Sequence, residues 1–153
     1  MNMRKLGLIL CAIFLLSVGT GCEMVTGEYK EGTYFGYAYD ADYDSYATTV
    51  IYVDDAGMIK SVFIDSTYIN KAKSATTAST KRVEGNDYNM KTYNQKAVGE
   101  WYEQAEALEK YIIENQGFNI TLDANGKTDA ISGATINLGA IAESVNNALK
   151  QAK

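Results

Sequence analysis

The sequence predicts an α+β fold in which a small antiparallel sheet packs with a long middle helix and a C-terminal helix. Residues 32–66 alternate aromatic or β-branched residues with small and polar ones, as strands do. Residues 98–114 and 138–149 place apolar residues at spacings of three and four, as amphipathic helices do. The chain has 153 residues, 46% of them hydrophobic, and no internal repeat, so one globular domain is expected.

The N-terminal segment has the pattern of a lipoprotein signal peptide. A positively charged start precedes an apolar run, Leu6–Val18, that is shorter than a membrane span. The small residues before Cys22 resemble a lipobox, in which the Cys is acylated and becomes the new N-terminus. We expect a signal peptide over 1–21, a lipidated Cys22 with a short tether over 22–31, and the domain over 32–153. An ordinary signal peptide cut near Cys22 is the alternative.

The composition excludes several classes of chemistry. The chain has no His and only two Cys, Cys11 and Cys22. It therefore cannot build a haem-attachment motif, a Cys-ligated iron–sulfur cluster, a His/Cys zinc site or a Ser-His-Asp triad. From Cys22 onward the formal charge is 12 minus 19, or −7. So acidic a chain argues against a nucleic-acid partner, which requires a basic patch.

Three strands are predicted in the first half of the domain. Gly32–Tyr39, Tyr46–Val53 and Met58–Ser66 carry the strand pattern, and Asp54–Gly57 has the composition of a turn between the last two. We expect them to form an antiparallel meander. The many tyrosines are interpreted as residues suited to half-buried strands.

The middle of the chain is predicted to be irregular before the long helix begins. Ser74–Thr80 is small, polar and without a period, and the irregular stretch continues to Lys91. The long helix is expected over Val98–Glu114, with Gly117 as its cap. Phe118–Leu122 is a candidate short strand.

A distinctive segment, Asp129–Thr135, lies between the predicted turn Asp123–Gly126 and the last helix, whose apolar stripe runs from Leu138 to Leu149. Its small residues let the backbone approach an oxygen-rich group closely, and Thr135 presents a hydroxyl where a helix begins. The first turn of a helix offers free N–H donors and the positive end of the dipole, so the segment suits a phosphate. A plain turn leading into a helix cap is the alternative.

This segment, Asp-Ala-Ile-Ser-Gly-Ala-Thr, resembles the Asp-x-x-Ser/Thr-Gly-Ala-Thr/Ser motif of FMN-binding domains. The resemblance implies that an ApbE-type flavin transferase, with metal-bound FAD as donor, attaches FMN covalently to Thr135 through a phosphoester. It also implies that Ser132, Gly133 and Ala134 contact the phosphate or shape the loop. Asp129 would orient the loop or be recognised by the transferase, and a simple turn or capping carboxylate is its alternative.

The whole mature chain is similar to flavin-bearing lipoproteins of extracellular electron transfer, from the lipobox-like Cys22 to the motif. The resemblance makes Tyr88, Met90 and Lys91 candidate contacts of the flavin. A cation near N1 of the reduced flavin would raise its potential. The candidates for that cation are Lys81, Arg82 and Lys91, and the alternative is that they are solvated loop charges. Trp101 is a candidate for a ring that faces the flavin, and the alternative is a core position on the apolar stripe of its helix.

The implied function is that of an electron carrier with one covalent FMN. Acylated Cys22 would anchor the protein to a lipid membrane, at the outer face of the cytoplasmic membrane. There it would relay electrons from a membrane NADH/quinone-linked dehydrogenase to extracellular acceptors. No pocket with acid–base residues can be named, so a self-contained enzyme is not implied. The alternatives are a flavin-carrying subunit of a membrane oxidoreductase complex and a non-redox binding lipoprotein that keeps the fold.

Overall fold

The computed structural model describes residues 26–69 and 78–153, and its architecture confirms the α+β class. Four antiparallel strands form one open sheet in the order β1-β2-β3-β4. The strands are β1 (Gly32–Asp40), β2 (Ser45–Val53), β3 (Ile59–Ile69) and β4 (Ala78–Thr80). The helices are α1 (Lys81–Glu84), a 3-10 turn (Gly85–Tyr88), α2 (Met90–Tyr93), α3 (Trp101–Asn115) and α4 (Gly139–Gln151).

The predicted three-strand meander is confirmed, and the alternation of its side chains decides which face is buried. Along β2 every second residue from Ser45 to Val53 is buried, and the residues between them are half-buried or exposed. Helices α3 and α4 cover the buried face, where Ile51, Ile59 and Ile64 are fully enclosed. The opposite face carries exposed aromatic side chains, namely Phe35, Tyr37, Tyr39, Tyr46, Tyr52 and Phe63.

Helix α4 packs closely on β1 because Gly36 has no side chain. A Cβ atom at Gly36 would lie 2.0 Å from the carbonyl oxygen of Ser144. The hydroxyls of Ser144 and Thr49 share a buried hydrogen bond of 2.7 Å beneath this contact. Two amide side chains of α4, Asn147 and Gln151, donate to the edge carbonyls of β1 at 3.1 and 2.7 Å. The helix therefore covers the inner face of the sheet and also provides hydrogen-bond donors to two carbonyls on its free edge.

Helix α3 is joined to β3 through Arg82. The guanidinium of Arg82 donates to the carbonyl of Ile64 at 2.6 Å and pairs with the carboxylate of Glu109. Glu109 in turn accepts a hydrogen bond of 2.6 Å from the backbone N–H of Ile64. Burial raises the pKa of Glu109, while the Ile64 N–H and Arg82 act in the opposite direction. The predicted irregular stretch thus contributes a structural cation that lies between strand and helix.

The ends of α3 differ from the sequence prediction. The helix begins at Trp101, and Val98 lies outside it with 61% of its surface exposed. The start is fixed by Glu100, whose backbone N–H donates to the side chain of Glu103 at 2.7 Å. At the other end the cap is Gln116, with φ of 51°, and not Gly117. The Gln116 side chain both accepts from and donates to the backbone of Ile59.

Two other local predictions were wrong. Phe118–Leu122 is not a strand: within the described chain it pairs with no neighbouring strand, and it is anchored through buried Phe118. Ala78–Thr80, predicted as part of a loop, pairs with Thr67–Ile69 as β4. The reason is the same in both cases, because a short strand exists only where another strand offers it an edge. Residues 74–77 lie outside the described residues.

The N-terminal prediction falls partly outside the described structure. The signal peptide over 1–21 and Cys22 lie among residues that are not described. The second half of the expected tether is docked on the domain, because Gly27 and Lys30 donate backbone hydrogen bonds of 2.8 and 2.7 Å to Ala56 and Ala152. Tyr29 is buried, and its burial raises its pKa to about 12. The folded domain therefore begins near Gly27, five residues before β1.

Replacing Gly36 tests the contact between α4 and β1. Because an added Cβ meets backbone and not a movable side chain, Gly36→Ala is expected to lower the free energy of unfolding by about 1–3 kcal/mol. Urea denaturation followed by circular dichroism measures the change. Gly139→Ala, the same substitution at the exposed start of α4, is the control, because an added Cβ there meets only the Asn137 side-chain oxygen, at 3.2 Å. Equal stability of the Gly36 and Gly139 variants would contradict the proposed packing.

Candidate functional site

A cleft of about 400 Å³ opens at the end of the sheet where β1 turns into β2. Its walls come from the β1–β2 turn, the end of β3, the short helices, the start of α3 and the loop before α4. The central lining residues are Tyr43, Lys81, Tyr88, Met90, Trp101 and Thr135. Asn94, Asn125, Lys127 and Asn137 add polar groups to the wall. Five parts of the chain thus meet at one concave surface.

The motif loop reaches the cleft through a turn with two buried anchors. Ile131 and Ala134 are buried, and the Ala134 N–H donates to the Ile131 carbonyl at 3.2 Å. Gly133 closes this turn with φ of 89°, a conformation that residues with a side chain rarely adopt. The glycine of the motif is therefore required by the backbone geometry.

The side chain of Gln104 on α3 fixes Thr135. Its amide oxygen accepts three hydrogen bonds from the motif loop: from the Thr135 N–H at 2.7 Å, the Thr135 hydroxyl at 3.0 Å and the Ile136 N–H at 3.1 Å. Its amide nitrogen donates to the carbonyl of Gly99 at 3.0 Å. Gln104 has only 1% of its surface exposed, so water does not compete for these bonds. Thr135 itself is half-buried, and it lines the cleft.

The sequence predicted that Thr135 lies where the last helix begins, and this is wrong, because Thr135 lies before the first turn of α4. The helix begins at Gly139, and Ile136, Asn137 and Leu138 lie between. The Gly139 N–H is occupied by the side-chain oxygen of Asn137 at 2.8 Å, and the Leu138 N–H donates to Gly126 at 2.7 Å. The loop is thus ordered by the Asn137 side chain, by the backbone bond to Gly126 and by Gln104.

The structure places the predicted site residues in two groups. Thr135, Tyr88 and Met90 line the cleft together, and so do Lys81 and Trp101. Lys91 is exposed and does not line the cleft, and Arg82 is engaged by Glu109. Asp129, Ser132 and Gly133 are exposed on the outer side of the motif loop, and Ala134 is buried beneath it.

Gln104 was missed in the sequence although a signal for it existed. It stands three residues after Trp101 and four before Leu108, so it occupies the buried stripe of α3 as a polar residue. A polar side chain at such a position requires a partner. Its partners are 31 and 32 residues away along the chain, and nothing in the local pattern identifies them.

The described residues show no metal-binding cluster and no membrane-spanning helix. No group of three or more Asp, Glu, His or Cys residues within 26–69 and 78–153 is arranged to hold a metal ion. In the same part of the chain, no helix is both long and apolar enough to cross a bilayer.

Comparison of the chain with models of protein families, with curated proteins and with solved structures found no match.

The residues of the cleft fit a flavin mononucleotide. The cleft volume lies within the roughly 300–1,000 Å³ typical of small-molecule pockets. Trp101, Met90 and Ile136 supply apolar surface for a flat ring, and the asparagines and lysines supply hydrogen bonds for its polar rim. Thr135 lies on the same wall, and its hydroxyl donates to the Gln104 oxygen at 3.0 Å.

Removal of the Gln104 acceptor is expected to destabilise the domain. In Gln104→Leu, two backbone N–H groups and one hydroxyl lose their acceptor, which should lower the free energy of unfolding by about 3 kcal/mol. Gln95→Leu, at an exposed position, is the matched control and should change stability by less than about 0.5 kcal/mol. Urea denaturation measures both. A Gln104 variant as stable as its control would show that these bonds do not hold the loop.

Proposed function

We propose that this protein is a lipid-anchored electron carrier with one FMN attached covalently to Thr135. It would relay electrons from a membrane NADH/quinone-linked dehydrogenase to acceptors outside the cell. The observation that carries the proposal is the position of Thr135, on the wall of a cleft that is also lined by Trp101, Met90 and Lys81. A phosphoacceptor and a cavity suited to the attached ring occur together.

The attachment step needs FAD and an ApbE-type transferase. A bond forms between Thr135 Oγ1 and the phosphorus on the riboflavin side of FAD, and the phosphoanhydride bond breaks. The released AMP keeps the electron pair of that bond, and the hydroxyl proton passes to a base of the transferase. In the free protein the hydroxyl donates its proton toward the Gln104 oxygen, so its lone pairs point elsewhere and can attack. The two backbone bonds to Gln104 do not involve this oxygen, and they continue to hold the loop after the ester forms.

The cofactor supplies the redox chemistry, and the chain supplies binding and position. The apolar side chains of Trp101 and Met90 would shield the ring from water, and the polar residues of the cleft would hold its edge. Covalent linkage has a physical benefit outside the cell, because a non-covalent cofactor at low free concentration would be lost by mass action. A phosphoester does not dissociate.

The position of the cleft suits transfer to outside acceptors. Gly27 contacts the β2–β3 turn at one end of the sheet, whereas the cleft lies at the other end of β1. A nine-residue strand spans about 30 Å. The chain between Cys22 and Gly27 extends at most about 18 Å. With Cys22 acylated, the cleft would face away from the bilayer, where diffusing acceptors reach it.

Replacing the acceptor hydroxyl tests the attachment. Thr135→Val keeps the shape and the backbone bond to Gln104, so we expect complete loss of covalent flavin with little change in fold. The full chain is co-expressed with an ApbE-type transferase and analysed by intact mass and by flavin fluorescence in a denaturing gel. Thr135→Ser should retain flavin, and Thr121→Val, at an exposed threonine, should be flavinylated like the wild type.

The outcomes separate the candidate functions. Covalent flavin that persists in Thr135→Val would overturn the assignment of the linkage. A wild-type chain without added mass, made beside a control protein that the same transferase does modify, would favour a binding lipoprotein that keeps the fold.

A further inference from the structure

Lys81 is a buried lysine on the wall of the cleft. It is the first residue of α1, only 7% of its surface is exposed, and it lines the same cavity as Thr135. Burial lowers its pKa, and the carboxylates of Asp40 and Asp65 oppose that effect. A lysine is rarely buried to this degree without a specific reason.

Three aromatic rings surround the ammonium group. The Lys81 Nζ atom lies 5.2 Å from the ring centre of Tyr43, 5.6 Å from that of Tyr88 and 5.4 Å from that of Trp101. The faces of these rings attract a cation. The three residues come from the β1–β2 turn, the 3-10 turn and the start of α3. The cation is therefore held by three separate elements at a defined place in the cleft.

The other cations of this region are less able to act on a group in the cleft. Arg82 does not line the cleft, and it is engaged with Glu109 and the Ile64 carbonyl. Lys91 is exposed and does not line the cleft. Lys127 does line it but is exposed, so solvent screens its charge. A buried charge acts through a lower dielectric and is screened much less.

We infer that Lys81 raises the reduction potential of the FMN carried on Thr135. The inference rests on the proposed function. Two electrons and one proton convert the neutral oxidised ring into a reduced ring with negative charge near N1. The electrons come from the membrane dehydrogenase and the proton from water. Lys81 is not the donor of this proton. Its positive charge, which Asp40 and Asp65 favour, would stabilise the reduced ring more than the oxidised one.

The test compares midpoint potentials of flavinylated full-length chains at pH 7. Lys81→Met removes the charge and keeps a chain of similar length. We expect the ratio of reduced to oxidised flavin at a fixed potential to fall at least tenfold, which is about 30 mV for a two-electron couple. In Lys81→Gln, a polar neutral variant, the midpoint potential should shift in the same direction. Lys81→Arg should stay close to the wild type, because the positive charge remains.

Lys91→Met is the matched control, since it removes the same charge from an exposed position outside the cleft. Spectroelectrochemical titration reads the potential directly and does not depend on turnover. If both neutral Lys81 variants keep the wild-type potential, the inference is overturned while the flavin assignment stands. If the wild-type chain takes no covalent flavin, the proposed function itself fails, and intact mass shows this before any titration.

Discussion

The buried amide of Gln104 is the interaction on which the site depends. Its side-chain oxygen accepts three hydrogen bonds from a loop about 31 residues later, and its amide nitrogen donates to the carbonyl of Gly99, just before α3 begins. A neutral amide suits this role better than a carboxylate, because it needs no counter-ion at a position that is almost fully buried. The loop gains a fixed position without a charge near the hydroxyl. The position of Thr135 is thus set by a side chain of α3, and it depends on how firmly α3 packs on the rest of the domain.

Helix α3 connects the walls of the cleft to the sheet. Near its start, the Glu100 carboxylate accepts a hydrogen bond of 2.8 Å from the backbone N–H of Met90, a cleft residue. In its middle, Glu109 and Arg82 join it to Ile64. Because Arg82 adjoins Lys81 in α1, the same attachment also fixes the residue that brings a cation into the cleft. A disturbance of α3 would therefore change Thr135, Met90 and Lys81 together.

The local sequence pattern predicted most of the strands and helices, but it did not predict the contacts between residues that are distant in the sequence. The strands of the meander and α4 follow from periodicity, and their bounds agree to within a few residues except at the end of β3. The start of α3 was set too early because Val98 continues the apolar stripe, whereas Glu100 and Glu103 fix where the backbone turns helical. The resemblance named Thr135, Tyr88 and Met90 as candidate site residues, and all three line the cleft, whereas their role in binding stays a prediction. Gln104 and the selection of Lys81 over Lys91 required the fold, since no local pattern shows which lysine a distant tryptophan and two tyrosines surround.

Helix α4 links the protection of the sheet to the order of the motif loop. At its C-terminal half, Asn147 and Gln151 occupy the edge carbonyls of β1, which would otherwise be available to the strand of another molecule. Such protection matters for a sheet whose outer face carries exposed aromatic residues. At its N-terminal end, the Leu138 and Gly139 N–H groups are occupied by Gly126 and Asn137, so the helix holds the loop that precedes it. Because α4 is seated against β1 through Gly36, the close approach at that glycine also supports the loop that precedes α4, in which Thr135 lies.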